Sequence, residues 1–301
     1  MKKTKHFITV GTFDGLHGGH RALFGKLEMM SALHRMKPLA LYFPFPPKTL
    51  LGEHPEMTVL TLPAEKKFLF KKSAITARPL DFAACRNLSA EQFFDVLRHK
   101  YNMGGLLAGP DFAFGKDRQG SLDFLRAQCD RYGLPFSVAE FSLIQGEKIS
   151  SSLIRKMLAQ GNIPLANALL GRPYELTGRV IKGHQLGRKL GFPTANLDTG
   201  IYKILPLGVF AVKVRVGRKI YDGFCNIGFR PTVNPIHAKL PLVEVNIFDF
   251  KQSIYGRNIT LWFVQKLRDE KKFNGLDNLV AQLKSDREDA RAALKDFTFP
   301  L

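Results

Sequence analysis

Two histidines lie three residues apart in the segment GTFDGLHGGH, residues 11–20, which is also rich in glycine. A short apolar segment precedes it and apolar residues follow it at three- and four-residue steps, so we expect a strand that passes into a helix near His17. The first turn of a helix offers unbonded N–H groups and the positive end of the helix dipole, and the glycines let a ligand approach the backbone. His17 and His20 would add donors on the same helical face. The pattern predicts a triphosphate site, although two histidines in a capped helix can also be purely structural.

Ser151, Ser152 and Arg155 form a second small group of polar residues, in the segment SSLIR. Serine hydroxyls and free amides at a helix start donate hydrogen bonds to phosphate, and an arginine one turn later supplies a fixed cation. The same residues equally suit an N-capped helix with a surface arginine, so the segment by itself does not decide.

The segment GRVIKGHQLGRKLGFPTANL, residues 178–197, has a glycine-rich part and a Pro-Thr-Ala-Asn end. Glycine amides can approach phosphates closely, and basic side chains beside them screen phosphate charge. The residues concerned are Gly183, Gly187, Arg188, Lys189 and Gly191. Thr194 and Asn196 carry oxygen atoms that suit a Mg²⁺ ion with most of its waters retained. Read on its own, however, PTAN is an ordinary turn sequence.

Glu244 lies in LVEVNIF, where Val243, Val245 and Ile247 alternate with it. A strand with this alternation directs Glu244 to its polar face. A carboxylate in that position could accept the proton of an alcohol during phosphoryl transfer, since an alcohol is a poor nucleophile at neutral pH. The alternative is a glutamate that is simply solvated.

The first half of the chain alternates strand-like and helix-like segments, which is typical of a parallel sheet covered by helices. In the helix after residue 17, one apolar face is expected to point into the core. Its members are Leu23, Phe24, Leu27, Met30 and Leu33.

From Arg179 onward the alternation has period two, clearest in VFAVKVRV, and a hairpin is expected at Gly217-Arg218. This half therefore predicts an antiparallel sheet or small barrel, closed by a last helix. The apolar face of that helix is expected to hold Leu276, Leu279, Val280, Leu283, Ala290 and Leu294, and its polar face Lys284, Asp286, Arg287 and Glu288. Glycine and proline recur near residue 168, so we place one domain at 1–168 and the other at 169–301.

The segment at residues 11–20 resembles the HxGH motif of the nucleotidylyltransferase superfamily, and with its Phe-Asp-Gly lead it resembles the adenylyltransferase half of bacterial bifunctional riboflavin kinase/FAD synthetases. GPDFAFGKDRQGS, residues 109–121, is similar to the second motif of that family, and SSLIR is similar to its third. The resemblance implies an α/β, Rossmann-like domain that binds ATP, with His17 and His20 in catalytic roles. The ATP-binding residues that it implies are Gly11, Phe13, Asp14, Gly15, His17, His20, Asp111, Ser151, Ser152 and Arg155.

Residues 178–197 resemble the riboflavin kinase signature that ends in PTAN, and the segments on both sides of Glu244 are also similar to that family. This second resemblance implies an antiparallel β-barrel kinase domain with a closing helix. In it Thr194 and Asn196 would contact the metal of Mg–ATP, and Glu244 would be the catalytic base. Arg268 would border the flavin. The ATP-binding residues implied are Gly183, Gly187, Lys189, Gly191, Thr194 and Asn196.

One segment departs from the family pattern. Where the family has Pro-His-Pro after the second strand, this chain has Phe43-Pro44-Phe45-Pro46-Pro47, without a histidine. Lys48 is a candidate for the missing cation near phosphate. The flavin side of the adenylylation site is therefore less defined than its ATP side.

Together the resemblances imply phosphorylation of riboflavin to FMN and adenylylation of FMN to FAD with release of pyrophosphate. ATP, riboflavin, FMN and FAD would be substrates or products, and Mg²⁺ the cofactor. A riboflavin kinase whose first domain is degenerate, or adenylylates another phosphorylated substrate, is the first alternative. A flavin-storage or regulatory module without catalysis is a second.

The formal net charge of +19 attracts any polyanion. Lysine and arginine are spread along the chain without a DNA- or RNA-reading motif, so phosphate-binding surface is favoured over a nucleic-acid function, which stays a lower alternative. No stretch approaches the roughly 20 apolar residues of a membrane span, and no signal peptide is evident, so we expect a cytoplasmic protein without a membrane partner. The three cysteines are expected to be structural thiols. The oligomeric state stays open.

Overall fold

The computed structural model describes residues 4–50, 58–115, 119–144, 146–183, 187, 190–200, 202–229 and 241–299. The chain divides into two compact units, Met1–Ser151 and Ser152–Leu301. No helix within the described ranges is long and apolar enough to cross a membrane.

A parallel sheet forms the centre of the first unit. Its strands are β1 (His6–Gly11), β2 (Lys37–Tyr42), β3 (Ala77–Pro79), β4 (Met103–Ala108) and β5 (Phe136–Val138). They lie in the order β3-β2-β1-β4-β5, and every pairing is parallel. The chain proceeds from β1 to β2 on one side and later adds β4 on the other side. This reversal opens a crevice at the carboxyl ends of β1 and β4, the usual ligand position in such sheets.

Helices cover both faces of this sheet, as the alternating sequence predicted. The helices described in this unit are α1 (Gly18–Leu33), α2 (Pro47–Leu50), α3 (Pro63–Lys72), α4 (Phe82–Cys85), α5 (Ala90–Lys100) and α6 (Leu122–Arg131). A short hairpin of β6 (Leu143–Ile144) and β7 (Glu147–Lys148) follows. Phe7 packs with α1 and α3, whereas its strand neighbour Ile8 packs with α5 and α6. Successive β1 residues therefore belong to two separate cores, one on each face.

The apolar face predicted for α1 is correct except at its end. Phe24 and Leu27 are buried, and Leu23 and Met30 are partly buried against the same core, but Leu33 is 70% exposed. Leu33 lies six residues after Leu27, about 240° around the helix, and so points away from the sheet.

In the second unit six antiparallel strands close into a barrel. They are β8 (Glu175–Ile181), β9 (Thr194–Asp198), β10 (Gly208–Val216), β11 (Lys219–Gly228), β12 (Leu242–Ile247) and β13 (Asn258–Arg268). The order is β10-β11-β12-β9-β8-β13, and β13 pairs back onto β10. The predicted hairpin is confirmed, because Val216 pairs with Lys219 across Gly217-Arg218 and Gly217 has a φ of 62°.

The helices with described bounds in this unit are α7 (Ser151–Ala159), which begins at the division between the units, α8 (Ile163–Leu170) and α9 (Leu276–Leu294). Alternate β10 residues, Val209 and Ala211, pack with Ala290 and Leu294 of α9. The last helix therefore covers one outer side of the barrel, as predicted.

Three residues of α9 differ from the prediction. One is Arg287, which is half-buried with its guanidinium over two aromatic rings. Leu276, in the first turn, is exposed, and Asp286 is only 1% exposed although its charge placed it on the polar face. Both carboxylate oxygens of Asp286 accept hydrogen bonds of 2.7 Å from the Arg268 guanidinium, and Gln282 donates to one of them. This pairing provides the hydrogen bonds without which a buried carboxylate would be strongly unfavourable.

Replacing Asp286 should destabilise the second unit, because Arg268 would keep its charge in a largely buried place without its acceptor. We expect Asp286→Ala to lower the free energy of unfolding by about 3 kcal/mol, whereas Glu288→Ala on the exposed face should change it by less than about 0.5 kcal/mol. Trp262 on β13 is the single tryptophan of the chain, so its fluorescence during urea unfolding reports this unit. Equal effects of the two substitutions would contradict the assigned pairing.

Candidate active sites

The turn between β1 and α1 has an unusual backbone conformation. Phe13 and Leu16, both buried, have positive φ values of 49° and 39°. Residues other than glycine pay roughly 1–2 kcal/mol for that region of conformational space, so surrounding contacts must hold the turn in place.

The Asp14 carboxylate supplies much of that hold. It is 3% exposed and accepts bonds of 3.0 Å from the backbone N–H of Leu60, the backbone N–H of Thr61 and the Thr61 hydroxyl. Gly15 N–H in turn donates to the Thr61 hydroxyl at 3.1 Å. Asp14, predicted to bind ATP, thus directs its described hydrogen bonds to the protein and fixes the turn. Thr61 was not singled out from the sequence, because the link between two distant segments leaves no local pattern.

His17 and His20 come together as the spacing predicted. Their rings stack with centroids 3.6 Å apart and planes 21° apart, and His20 meets the edge of Phe13. His17 is the residue before α1, so both rings stand at the helix end with the unbonded amides. A Cβ at Gly19 would lie 3.2 Å from the His17 ring and from the Ile149 carbonyl, which explains a glycine at that position.

A cavity of about 310 Å³ opens beside this turn, at the carboxyl ends of the central strands. It receives residues that follow β1, β4 and β5, as expected for the crevice of an open parallel sheet. Of the predicted ATP-binding residues, those that line it are Gly11, Phe13, Asp14, His17, His20, Asp111 and Ser151. Gly15 is not among the lining residues. Ser152 and Arg155 follow in α7 within the second unit, and their nucleotide role stays a prediction.

Two contacts at the cavity wall refine the predicted roles. The Ser151 hydroxyl donates to the Asp14 carbonyl at 2.8 Å, so this serine also binds the turn. The Asp111 carboxylate forms an ion pair with Lys148, whose ammonium lies 3.8 Å from the centroid of the Phe141 ring. Lys148 and Phe141 were missed by sequence reasoning, although both lie shortly before the SSLIR segment.

In the barrel, strand register brings the predicted kinase residues together. Glu244 pairs with Asn196 on β9 and with Asn226 on β11, so three polar side chains form a row across adjacent strands. They line a cavity of about 420 Å³ that also receives Gly187, Thr194, Arg268 and Asp286. Much of its remaining wall is apolar, formed by Leu190, Phe192, Val209, Phe224, Phe273, Leu279 and Leu283. Asn226 was not predicted, because its position depends on register rather than on a motif.

The bend before β9 depends on close backbone approach. A Cβ on Gly183 would collide with the Asn196 side chain, and one on Gly187 would collide with the Phe192 carbonyl. Gly191 has a φ of 82°. The structure therefore explains why glycine occupies each of these three positions. Arg188 and Lys189 lie outside the described residues.

Asn246 and Arg268 each make hydrogen bonds that fix a part of this site. The buried Asn246 side chain donates to the Pro193 carbonyl at 2.9 Å and so fixes the start of the PTAN bend. Arg268 lines the same cavity, with its guanidinium bonded to Asp286, and its place beside the flavin stays a prediction.

The cysteines take no part in either cavity. Cys129 and Cys225 are buried and Cys85 is half-buried. Burial raises the pKa of the Cys129 thiol to about 12. The pKa of Cys225 is raised by burial and by the negative charge of Glu244, so both buried thiols stay protonated at neutral pH.

Removing the Asp14 carboxylate should loosen the strained turn. We expect Asp14→Ala to destabilise the first unit by about 3 kcal/mol, since two buried amides lose their acceptor, and Asp130→Ala on the exposed side of α6 to have little effect. Far-UV circular dichroism during urea unfolding reports both units, and Trp262 fluorescence identifies the transition of the second. An unchanged first-unit transition in Asp14→Ala would show that the carboxylate does not hold the turn.

Two family models match the chain. The one for FAD synthetase matches residues 1–153, and the one for riboflavin kinase matches residues 170–294. The bifunctional riboflavin kinase/FMN adenylyltransferase of Bacillus subtilis is 34% identical over 303 residues, which cover 96% of this chain and 92% of the relative. That of Haemophilus influenzae is 35% identical over 293 residues, covering 95% of this chain and 93% of the relative.

A solved structure agrees in fold. It is described as a macrolide-efflux protein from Streptococcus pneumoniae, is 30% identical, and superimposes with a TM-score of 0.85 over 99% of this chain and 96% of its own. The two domain models and the full-length relatives lead to one conclusion: the chain belongs to the bifunctional riboflavin kinase/FMN adenylyltransferase family.

Proposed function

We propose that this chain phosphorylates riboflavin to FMN with its barrel domain and adenylylates FMN to FAD with its parallel-sheet domain, using ATP in both steps. The observation that carries the proposal is the row Asn196–Glu244–Asn226 on the wall of a largely apolar cavity, together with the stacked histidines at a helix start in the other unit. The family models support domains near the predicted ranges 1–168 and 169–301. A cytoplasmic location, where ATP is abundant, is part of the proposal.

In the kinase step Glu244 accepts the proton of the riboflavin 5′-hydroxyl, and the hydroxyl oxygen forms a bond to the γ-phosphorus of ATP. The bond from that phosphorus to the bridging oxygen breaks, and ADP leaves. The apolar and aromatic wall of the larger cavity suits the isoalloxazine ring, and Arg268 and Asp286 add a polar part to that wall. Positioning supplies most of the catalysis in such a transfer.

A second cavity in the barrel unit, of about 250 Å³, suits the nucleotide. Thr194 lines both cavities, which supports a role for it between the two substrates. Phe250 and Tyr255 are among its walls and offer aromatic surface to a base. We assign the larger cavity to riboflavin and this one to the adenosine part of ATP. The γ-phosphate would lie near Thr194 and beside the predicted ATP-binding residues Gly187 and Asn196, which line the larger cavity.

Mg²⁺ fits the oxygen donors of Thr194 and Asn196. Within the described ranges no three His, Cys, Asp or Glu side chains cluster as metal ligands, so a cage made only of protein carboxylates is not present there. Magnesium commonly binds through few protein oxygens together with substrate phosphates and waters. When bound, the ion would neutralise phosphate charge, and Thr194 and Asn196 would orient it.

In the adenylyl step the FMN phosphate is already an anion and needs no general base. One of its oxygens bonds to the α-phosphorus of ATP, and the bond to pyrophosphate breaks. His17, His20 and the free amides of α1 would stabilise the negative charge that develops on the phosphates. Asp14 and Ser151 contribute by holding the turn that carries the histidines.

One observation favours a narrower function. The segment Phe43–Pro47 lacks the histidine of the family pattern, and the side chain of its candidate substitute Lys48 lies outside the described residues. A riboflavin kinase with a degenerate or differently specific first domain would form FMN but no FAD.

Glu244→Gln should abolish the first reaction selectively. Loss of the proton acceptor is expected to lower the rate of FMN formation at least about 100-fold, while supplied FMN is still converted to FAD. Separation of the flavins by chromatography measures both rates, and Glu288→Gln on the exposed face of α9 is the matched control. Wild-type phosphorylation by Glu244→Gln would remove this residue from the mechanism.

His20→Ala should have the opposite selectivity. We expect FMN to accumulate from riboflavin at the normal rate and FAD formation to fall about 100- to 1,000-fold, since a donor to the transition-state phosphates is lost. His99→Asn, on the exposed end of α5, should leave both rates unchanged. A parallel decrease of both activities in His20→Ala would contradict separate sites.

A further inference from the structure

Lys66 on α3 is fully buried, with 0% of its surface exposed. Its ammonium donates to three backbone carbonyls, those of Thr12 at 2.8 Å, Phe43 at 3.0 Å and Pro44 at 3.0 Å. An ammonium carries three donors, and each of these carbonyls can accept from one of them. These hydrogen bonds hold the ammonium in one position and link it to the three backbone segments that it contacts.

The three carbonyls belong to the two turns that leave the centre of the parallel sheet. Thr12 follows β1, in the turn that leads to the histidines, and Phe43 and Pro44 follow the neighbouring strand β2. The two turns also meet directly, because Phe43 N–H donates to the Gly11 carbonyl at 3.2 Å. Lys66 therefore ties the histidine turn to the proline-rich turn in which the family pattern has its histidine.

The chemistry of a buried ammonium argues against a role in stability alone. Burial of a lysine ammonium carries a large desolvation cost, which its three hydrogen bonds serve mainly to offset. A lysine in such a place needs another reason. Thr12 lines the adenylyltransferase cavity, beside the positive-φ residue Phe13, so small movements of this turn would displace the histidines from the phosphates.

We propose that Lys66 is a positioning residue for FAD formation: it sets the separation of the β1 and β2 turns and thereby places His17 and His20 against the reacting phosphates. This inference rests on the adenylyltransferase activity proposed above. It differs from direct catalysis, since the ammonium is fully buried and bonds backbone carbonyls behind the cavity-lining residues.

Lys66→Met tests the inference in the full-length chain, because methionine retains much of the apolar stem and removes the three donors. We expect kcat for conversion of FMN to FAD to fall about 10- to 100-fold, as small displacements at a reacting centre do, with the KM for ATP changed less than about threefold. The rate of riboflavin phosphorylation on the same chain should not change. Lys67→Met, the adjacent exposed position on α3, should have no effect on either rate.

The stability of the first unit distinguishes a Lys66 that positions the histidines from a Lys66 that only supports the fold. Three carbonyls lose their donor in Lys66→Met, so the unfolding transition of the first unit, seen by circular dichroism, should fall. The inference predicts that kcat falls further than this loss of folded protein accounts for. Where Lys66→Met lowers that transition, Lys66→Gln, which keeps an amide donor, should recover the transition and part of kcat. The inference would be overturned if Lys66→Met formed FAD at the wild-type rate. It would also be overturned if kcat in both variants fell only in proportion to the loss of folded protein. A wild-type chain that forms no FAD would instead contradict the proposed function.

Discussion

Both candidate sites depend on one constraint, which is that a buried charge must have all its hydrogen bonds made inside the protein. Asp14, Lys66 and Asp286 are each at most 3% exposed. The first bonds backbone amides of another segment, the second bonds three carbonyls, and the third holds an arginine in a bidentate pair. Each pairing joins elements distant in sequence, so satisfying the charge also fixes the geometry.

The consequence for function is a division of work among residues. Groups that face the cavities, such as His20 and Glu244, are few and would act on phosphate or on a proton. The buried charges behind them hold a strained turn, two adjacent loops and a cavity-lining guanidinium in place. Because the phosphoryl and adenylyl steps depend mainly on positioning and charge stabilisation, a rigid frame is as important as the facing groups.

The sequence alone predicted the secondary-structure elements and their arrangement well, but it predicted the buried charged residues that hold them together poorly. Alternating elements predicted the covered parallel sheet, and period-two alternation predicted an antiparallel sheet or small barrel. Family motifs selected Thr194, Asn196 and Glu244, and the strand register brings them to one cavity. Periodicity assigns charged residues to solvent, so it misplaced Asp286 and gave no reason to select Lys66. Contacts between segments that are far apart in the chain, such as these, leave no local pattern to read.

The central claim is that one chain carries two successive activities at two separate sites. The most direct measurement is a time course of flavin products from the purified wild-type protein incubated with riboflavin, ATP and magnesium. The account predicts that FMN rises first and is then converted to FAD with release of pyrophosphate. Riboflavin that remains unchanged would contradict the kinase assignment, and FMN that accumulates without FAD would contradict the second activity.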